Sequence, residues 1–246
     1  MVREQVHVSR TPDDVAVNVA GVLLERLAEA QTEGRVASWV LTGGSLARRV
    51  HRAVAAHADS GTVDWARVDF WWGDERYVAS DHPDRNAGQA WEDMLQHLPV
   101  DPARVHAMPA SDDGFASLEA AAWAHGEALS AWVAGRDPWF DVLMLGIGPD
   151  GHCASLFPGH PGVDADAHVV PVRDSPKPPP ERISFGMDTL GRADQVLFAA
   201  TGDDKATAVA RSVAGGDVHQ APAAGPRGSS RTDWYVDEAA AAQVRR

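Results

Sequence analysis

Short apolar runs of β-forming residues alternate with amphipathic stretches along almost the whole chain. This alternation narrows the fold more than any other feature. Residues 6–8, 36–41, 68–72, 142–145, 169–172 and 195–200 read as strands. Between the first two, Thr11 is followed by Pro12, Asp13 and Asp14, which places a capping hydroxyl, a proline at the first helical position and acids in the first turn. Val15, Val19, Val22 and Leu23 continue at helical spacing to Leu27, and Gly34 ends the unit. Further helices are expected over 46–57, 84–98, 115–133, 205–214 and 237–243. Strands separated by helices imply an α/β fold with a largely parallel sheet.

In such sheets, ligands gather beyond the carboxyl ends of the strands. The loops after Leu41, Trp72, Leu145 and Ala200 are therefore the places to look for chemistry. Composition limits the kind of chemistry. The chain has 246 residues, 44% of them hydrophobic, and a formal net charge of −13. That charge argues against nucleic acid and anionic membrane as partners; a small anionic ligand would need local cations and backbone N–H groups. The single cysteine, Cys153, allows no disulfide within the chain and fits a reducing compartment. The opening MVREQVHVSR lacks the apolar core of a signal peptide, and no apolar run approaches a membrane span. A cytoplasmic protein with a single domain over 1–246 is the expectation.

Four loops hold candidate residues. Thr42-Gly43-Gly44-Ser45 joins a strand to a helix, where backbone N–H groups and the helix dipole can receive an anion; the plain alternative is a tight turn with Ser45 as helix cap. No Gly-Lys-Ser/Thr follows, so it is not a Walker A loop. In Trp72-Gly73-Asp74-Glu75-Arg76, Arg76 suits a phosphate or carboxylate and Asp74 suits sugar hydroxyls, unless the charges merely pair in a solvated loop. Downstream, Asp84 reads as a helix cap. Lys177 and Arg182 flank a proline run that stiffens their loop, and Lys205 opens a helix, where an incoming anion would compensate its unfavourable place at the dipole.

The fourth loop is Gly146-Ile147-Gly148-Pro149-Asp150-Gly151-His152. Its glycines match the G-x-G-x-x-G dinucleotide fingerprint, but Pro158, Gly159, Pro161 and Gly162 leave almost no room for the helix that must follow. The alternative is a sharp loop presenting His152, the side chain best suited to acid–base work near neutral pH, with Asp150 to orient it. A structural histidine stays open as the plain reading. A Cys153–His152 nucleophilic pair is disfavoured because neighbouring side chains diverge, and His152 with His160 lacks a metal-site spacing or third ligand.

Taken in order, these segments resemble the 6-phosphogluconolactonases. The matching stretches begin with Leu41 to Ser45, Trp71 to Arg76 and Asp81 to Asn86. They continue with Leu145 to His152, Ser155 to His160, Asp174 to Ile183, Gly202 to Ala206 and Trp234 to Ala240. The resemblance implies a Rossmann-like three-layer α/β fold with a smaller lobe, shared with glucosamine-6-phosphate deaminases. It implies hydrolysis of 6-phospho-D-glucono-1,5-lactone, the second step of the oxidative pentose phosphate pathway, with no metal and no organic cofactor. It makes His152 the general base and Asp150 its orienter. It seats the phosphate on Gly43, Gly44 and Ser45, with Arg182 and Lys205 as cationic partners, Arg76 nearby, Lys177 as a further contact and Asp74 as a substrate contact. A monomer or weak oligomer is expected. Two positions depart from the family pattern: Cys153 where threonine is expected, and Arg85 where serine is expected, altering charge near the pocket mouth. A deaminase–isomerase would need a glutamate after the histidine, where Ser155-Leu156-Phe157-Pro158 offers none. A sugar-phosphate sensor would normally carry a DNA-binding segment, and only about ten residues precede the first helix.

Overall fold

The computed structural model describes residues 3–244; Met1 and Val2, which open the stretch read for a leader, lie outside the described residues. Strand β1 (Arg3–Ser9) leads into α1 (Pro12–Thr32), whose start is a capping box. Thr11 Oγ1 accepts the Asp14 amide at 3.1 Å while Asp14 Oδ2 accepts the Thr11 amide at 3.2 Å. Such a cap stabilises a helix by about 1 kcal/mol. Then follow β2 (Ala37–Leu41), α2 (Ser45–Ala56), β3 (Val68–Trp72), β4 (Asp74–Arg76), α3 (Asn86–Asp93) and α4 (Leu118–Val133). The second half contains β5 (Phe140–Leu145), β6 (Val169–Val172), β7 (Arg182–Phe185), α5 (Met187–Leu190), β8 (Ala193–Ala200), α6 (Ala206–Val213) and β9 (Arg231–Asp237).

Among the described residues, six strands form one sheet in the order β1-β9-β8-β5-β2-β3, and every pair is parallel. Its strands separate two cores. Trp39, Leu41, Val142, Met144 and Leu197 point into the layer of α1 and α2. Their neighbours Val40, Leu143, Leu145, Val196 and Phe198 point into the opposite layer, with α4, α6 and a second sheet. That second sheet, β4-β7-β6, is antiparallel and forms the smaller lobe.

The structure corrects several expected elements. The helix expected over 84–98 is only α3, followed by a single 3₁₀ turn at Leu95–His97, because Met94 leaves helical geometry (φ −146°, ψ −60°). Asp84 does not cap it; Glu75 does, from another segment. Ser45 is the first residue of α2, not its cap, and Gly44 stands at the cap position. α4 starts at Leu118, with Ser117 as cap, and α6 is preceded by a 3₁₀ turn at Asp203–Lys205. The helix expected over 237–243 is absent: β9 ends at Asp237, whose carboxylate accepts the Gly202 and Ala240 amides, and turns follow. Asp74–Arg76 and Arg182–Phe185, read as loop, are paired strands.

Candidate active site

The carboxyl ends of β2, β5 and β8, closed over by the smaller sheet, surround a cavity of about 320 Å³. One wall is the Thr42–Ala47 turn into α2. No acidic side chain lies in the first turn of α2, so its amides face the cavity with an uncompensated positive dipole end. Arg76, Lys177, Arg182 and Lys205 also line the cavity, against Asp74 as the lining carboxylate among the described residues. The lining thus carries four cations against one carboxylate, in a chain whose net charge is −13.

His152 lines the same cavity. Its Nδ1 lies 2.5 Å from Asp150 Oδ1, and its ring packs against Phe157 with centroids 4.7 Å apart. Asp150 can accept a hydrogen bond from Nδ1, and in the neutral imidazole that tautomer leaves the Nε2 lone pair free. Nε2 has no hydrogen bond to protein among the described residues. Partial burial works to raise the Asp150 carboxyl, but the hydrogen bond from His152 and the charges of His152 and Lys177 outweigh it and hold it well below the usual carboxylate range. The loop itself is tight. Gly148 N donates to the His152 carbonyl at 2.9 Å, and a Cβ at Gly148 would stand 1.9 Å from His152 Nδ1 and 2.4 Å from Asp150 Oδ1. The glycine therefore makes room for the imidazole–carboxylate pair rather than for a pyrophosphate.

The cations are set differently from one another. Lys177 Nζ lies 3.4 Å from His152 Nδ1, at the histidine end of the cavity. Partial burial, with Lys205 and Arg182 nearby, depresses its ammonium against the pull of Asp150. Arg182 is buried, and its Nε and Nη2 donate to the carbonyls of Lys177, Pro178 and Pro179 at 3.1–3.3 Å. Its Nη1 lies 3.5 Å from Ser155 Oγ and 3.9 Å from Asp74 Oδ2. Lys205 Nζ pairs with Asp204 at 3.0 Å.

Of the residues expected to act on or bind the substrate, Gly43, Gly44, Ser45, Asp74, Arg76, His152, Lys177, Arg182 and Lys205 line this cavity, and Asp150 reaches it through His152. Asp74 also differs in detail: its Oδ2 accepts Ser155 Oγ–H at 2.6 Å, so that oxygen is committed to the protein. Arg85 is not at the pocket mouth. It is buried and donates to the Met108 and Pro109 carbonyls. Cys153 is fully buried, and burial pushes its thiol far up, away from a reactive thiolate. His160 bridges Gly162 N and the Arg173 carbonyl. Among the described residues, no group of three His, Cys, Asp or Glu side chains is placed to hold a metal ion. Sequence reasoning missed Asn86 and Ser155 as parts of the site, although both fall inside stretches it quoted.

A family model described as glucosamine-6-phosphate isomerases/6-phosphogluconolactonase matches residues 10–234. The chain belongs to this family. It is 44% identical over 248 residues to the 6-phosphogluconolactonase of Streptomyces coelicolor, covering 98% of this chain and 95% of that one. It is 41% identical to the 6-phosphogluconolactonase of Mycobacterium tuberculosis, covering 95% and 96%. The 6-phosphogluconolactonase structure from Trypanosoma brucei superposes with a TM-score of 0.83 at 24% identity, covering 100% of both chains. A monomeric glucosamine-6-phosphate deaminase superposes almost as well, at 0.81 and 21%. Within the family, the fold alone therefore does not separate the two activities. No helix among the described residues is long and apolar enough to cross a membrane.

Proposed function

We propose that the chain hydrolyses 6-phospho-D-glucono-1,5-lactone to 6-phosphogluconate, with His152 as general base. The observation that carries the reading is the Asp150–His152 pair opening onto a cavity lined by four cations and a helix N-terminus. The phosphate sits on the α2 amides with Arg76, Arg182 and Lys205, which places the lactone carbonyl towards His152. Asp150 holds Nδ1–H, so Nε2 takes a proton from water as the water oxygen bonds to the carbonyl carbon. The tetrahedral oxyanion forms near the Lys177 ammonium. As it collapses, the carbon–ring-oxygen bond breaks and the imidazolium returns the proton to the departing oxygen.

A deaminase would need a second carboxylate for proton shuttling. Among the described residues the cavity carries Asp74, which is bound to Ser155. The nearly full-length identity to proteins named 6-phosphogluconolactonase supports the lactonase branch. We place the enzyme in the cytoplasm as a monomer or weak oligomer; its single cysteine, reduced and buried, accords with that setting.

The test compares 6-phosphogluconolactone with unphosphorylated gluconolactone at neutral pH, with spontaneous opening subtracted. The wild type should turn over the phosphorylated lactone far faster. His152→Ala should lower kcat about 10³-fold with KM little changed. Unchanged kcat in the variant would remove His152 as base, and an inactive wild type would remove the lactonase reading itself.

A further inference from the structure

The buried acid beside the cavity has no part in the chemistry above, yet it organises one wall of it. Glu75 is 1% exposed, and its carboxylate accepts three backbone N–H groups: Arg76 at 2.8 Å, Asn86 at 2.7 Å and Ala87 at 2.8 Å. Two of these are the first amides of α3, whose cap residue Arg85 supplies no side-chain bond. Arg85 instead stands as countercharge, its Nε 3.7 Å from Glu75 Oε2. The acid thereby fixes the backbone from which Asn86 projects.

Asn86 is 2% exposed and bridges two strand residues of the wall. Its Nδ2 donates to the Asp74 carbonyl at 2.9 Å, and its Oδ1 accepts from Arg76 Nη1. Arg76 Nη1 also donates to the Asp84 carbonyl at 2.9 Å, while its Nε is buried without a partner. The amide also abuts the anion-binding turn: a Cβ on Gly43 would meet Asn86 Oδ1 at 1.8 Å. An arginine held in this way has already lost the rotamer freedom that capturing an anion would otherwise cost.

We propose that Asn86, held by Glu75, is a positioning residue that aims the Arg76 guanidinium at the substrate phosphate. The inference rests on the lactonase reading above and adds a determinant of its preference for a phosphorylated substrate. Asn86 acts through Arg76, so the two side chains are coupled.

The test is a double-mutant cycle of Asn86→Ala and Arg76→Ala on 6-phosphogluconolactone, with thermal unfolding of each variant and gluconolactone as the unphosphorylated control. Asn86→Ala alone should raise KM for the phosphorylated lactone about tenfold with kcat within about twofold, and leave the control unchanged. In the Arg76→Ala background the same change should raise KM less than about twofold. Additive effects, or equal losses on both lactones, would overturn the inference. If Asn86→Ala does not fold, Asn86→Ser is read in the same cycle, since its shorter side chain cannot span from the Asp74 carbonyl to Arg76. A wild type that turns over the two lactones equally would overturn the phosphate reading beneath the inference. A wild type with the phosphate preference and an additive cycle overturns the inference alone.

Discussion

The two sheets contribute different things to one cavity. The six-stranded parallel sheet offers backbone and one reactive side chain: the α2 amides after β2, and the His152 loop after β5. The three-stranded antiparallel sheet offers charge, with Asp74 and Arg76 on β4 and Arg182 on β7 facing each other across the pairing of Asp74–Arg76 with Arg182–Ser184. In the parallel sheet, buried on both faces, the strand acids Asp69, Asp141 and Asp233 are taken up by protein partners, so its chemistry moves into the loops. The small sheet has one flank on the cavity and can carry ions in the strands themselves. Changes to the His152 loop should therefore act on turnover, and changes to the small sheet on binding and stability together.

The largest expected effect is on the small sheet. Arg182 and Asp74 are each 5% exposed and lie 3.9 Å apart, with Ser155 between them. Arg182→Ala leaves the Asp74 carboxylate buried with its countercharge gone, a loss of about 3–5 kcal/mol. It also frees the carbonyls of Lys177, Pro178 and Pro179. Denaturant unfolding should show the destabilisation, and kinetics should show a raised KM. Asp74→Asn combined with Arg182→Met should regain much of the stability but not the KM. If the double variant were as unstable as the single, buried charge would not be the cause.

The same contrast explains what could be read from the sequence. Strands β2, β3 and β5 are buried at every position, and each shows in the sequence as a mainly apolar run broken by one polar residue, Ser38, Asp69 and Asp141 respectively. β4 reads Asp-Glu-Arg and β7 begins with arginine, so their periodicity is hidden by the charges that serve the cavity. β9 is hidden for a related reason: Asp233 lies inside the sheet, taken up by Gln195 and His7. The alanine-rich stretch after it favours a helix by propensity, but the Asp237 carboxylate draws the backbone into turns. His152, Asp150 and the glycine turn were legible because their partners are close in sequence. Ser155 was not, because its meaning comes from Asp74, 81 residues away.

Two buried histidines compare the cores behind the two sheets. His51 packs edge-on against Trp39 on the large sheet, and His125 stacks near Phe185 on the small one. Burial lowers each to about 4 from the usual 6.5; nearby Arg52 and Arg48 lower His51 further against the pull of Asp93, and His106 does so for His125. The unfolded chain binds protons at these positions between pH 6.5 and 4 while the folded chain does not. Their contribution is therefore intact above pH 6.5 and is lost progressively as pH falls towards 4, by about 3 kcal/mol for each histidine. Urea unfolding across this range should flatten by a similar amount in His51→Leu and in His125→Leu. Flattening in only one variant would show that one core lets its histidine meet water.

A smaller effect tests the large-sheet loop most directly. In Gly148→Ala the new Cβ has 1.9 Å to His152 Nδ1 where it needs well over 3 Å, so the imidazole must move or the Asp150 contact must open. Lys177 lies against the imidazole, 3.4 Å from Nδ1, while Arg76 is held by Asn86 and the Asp84 carbonyl and Lys205 by Asp204. A displacement of about 1 Å at the base costs on the order of 10²-fold in rate. The expected outcome is a kcat lowered by about that factor, with KM and the unfolding midpoint nearly those of the wild type. The rate loss should also match that of Asp150→Asn, because both changes release Nδ1 from its fixed partner. A rise in KM with kcat retained would place Gly148 with the anion-binding turn, and the division between a reactive His152 loop and a binding small sheet would fail.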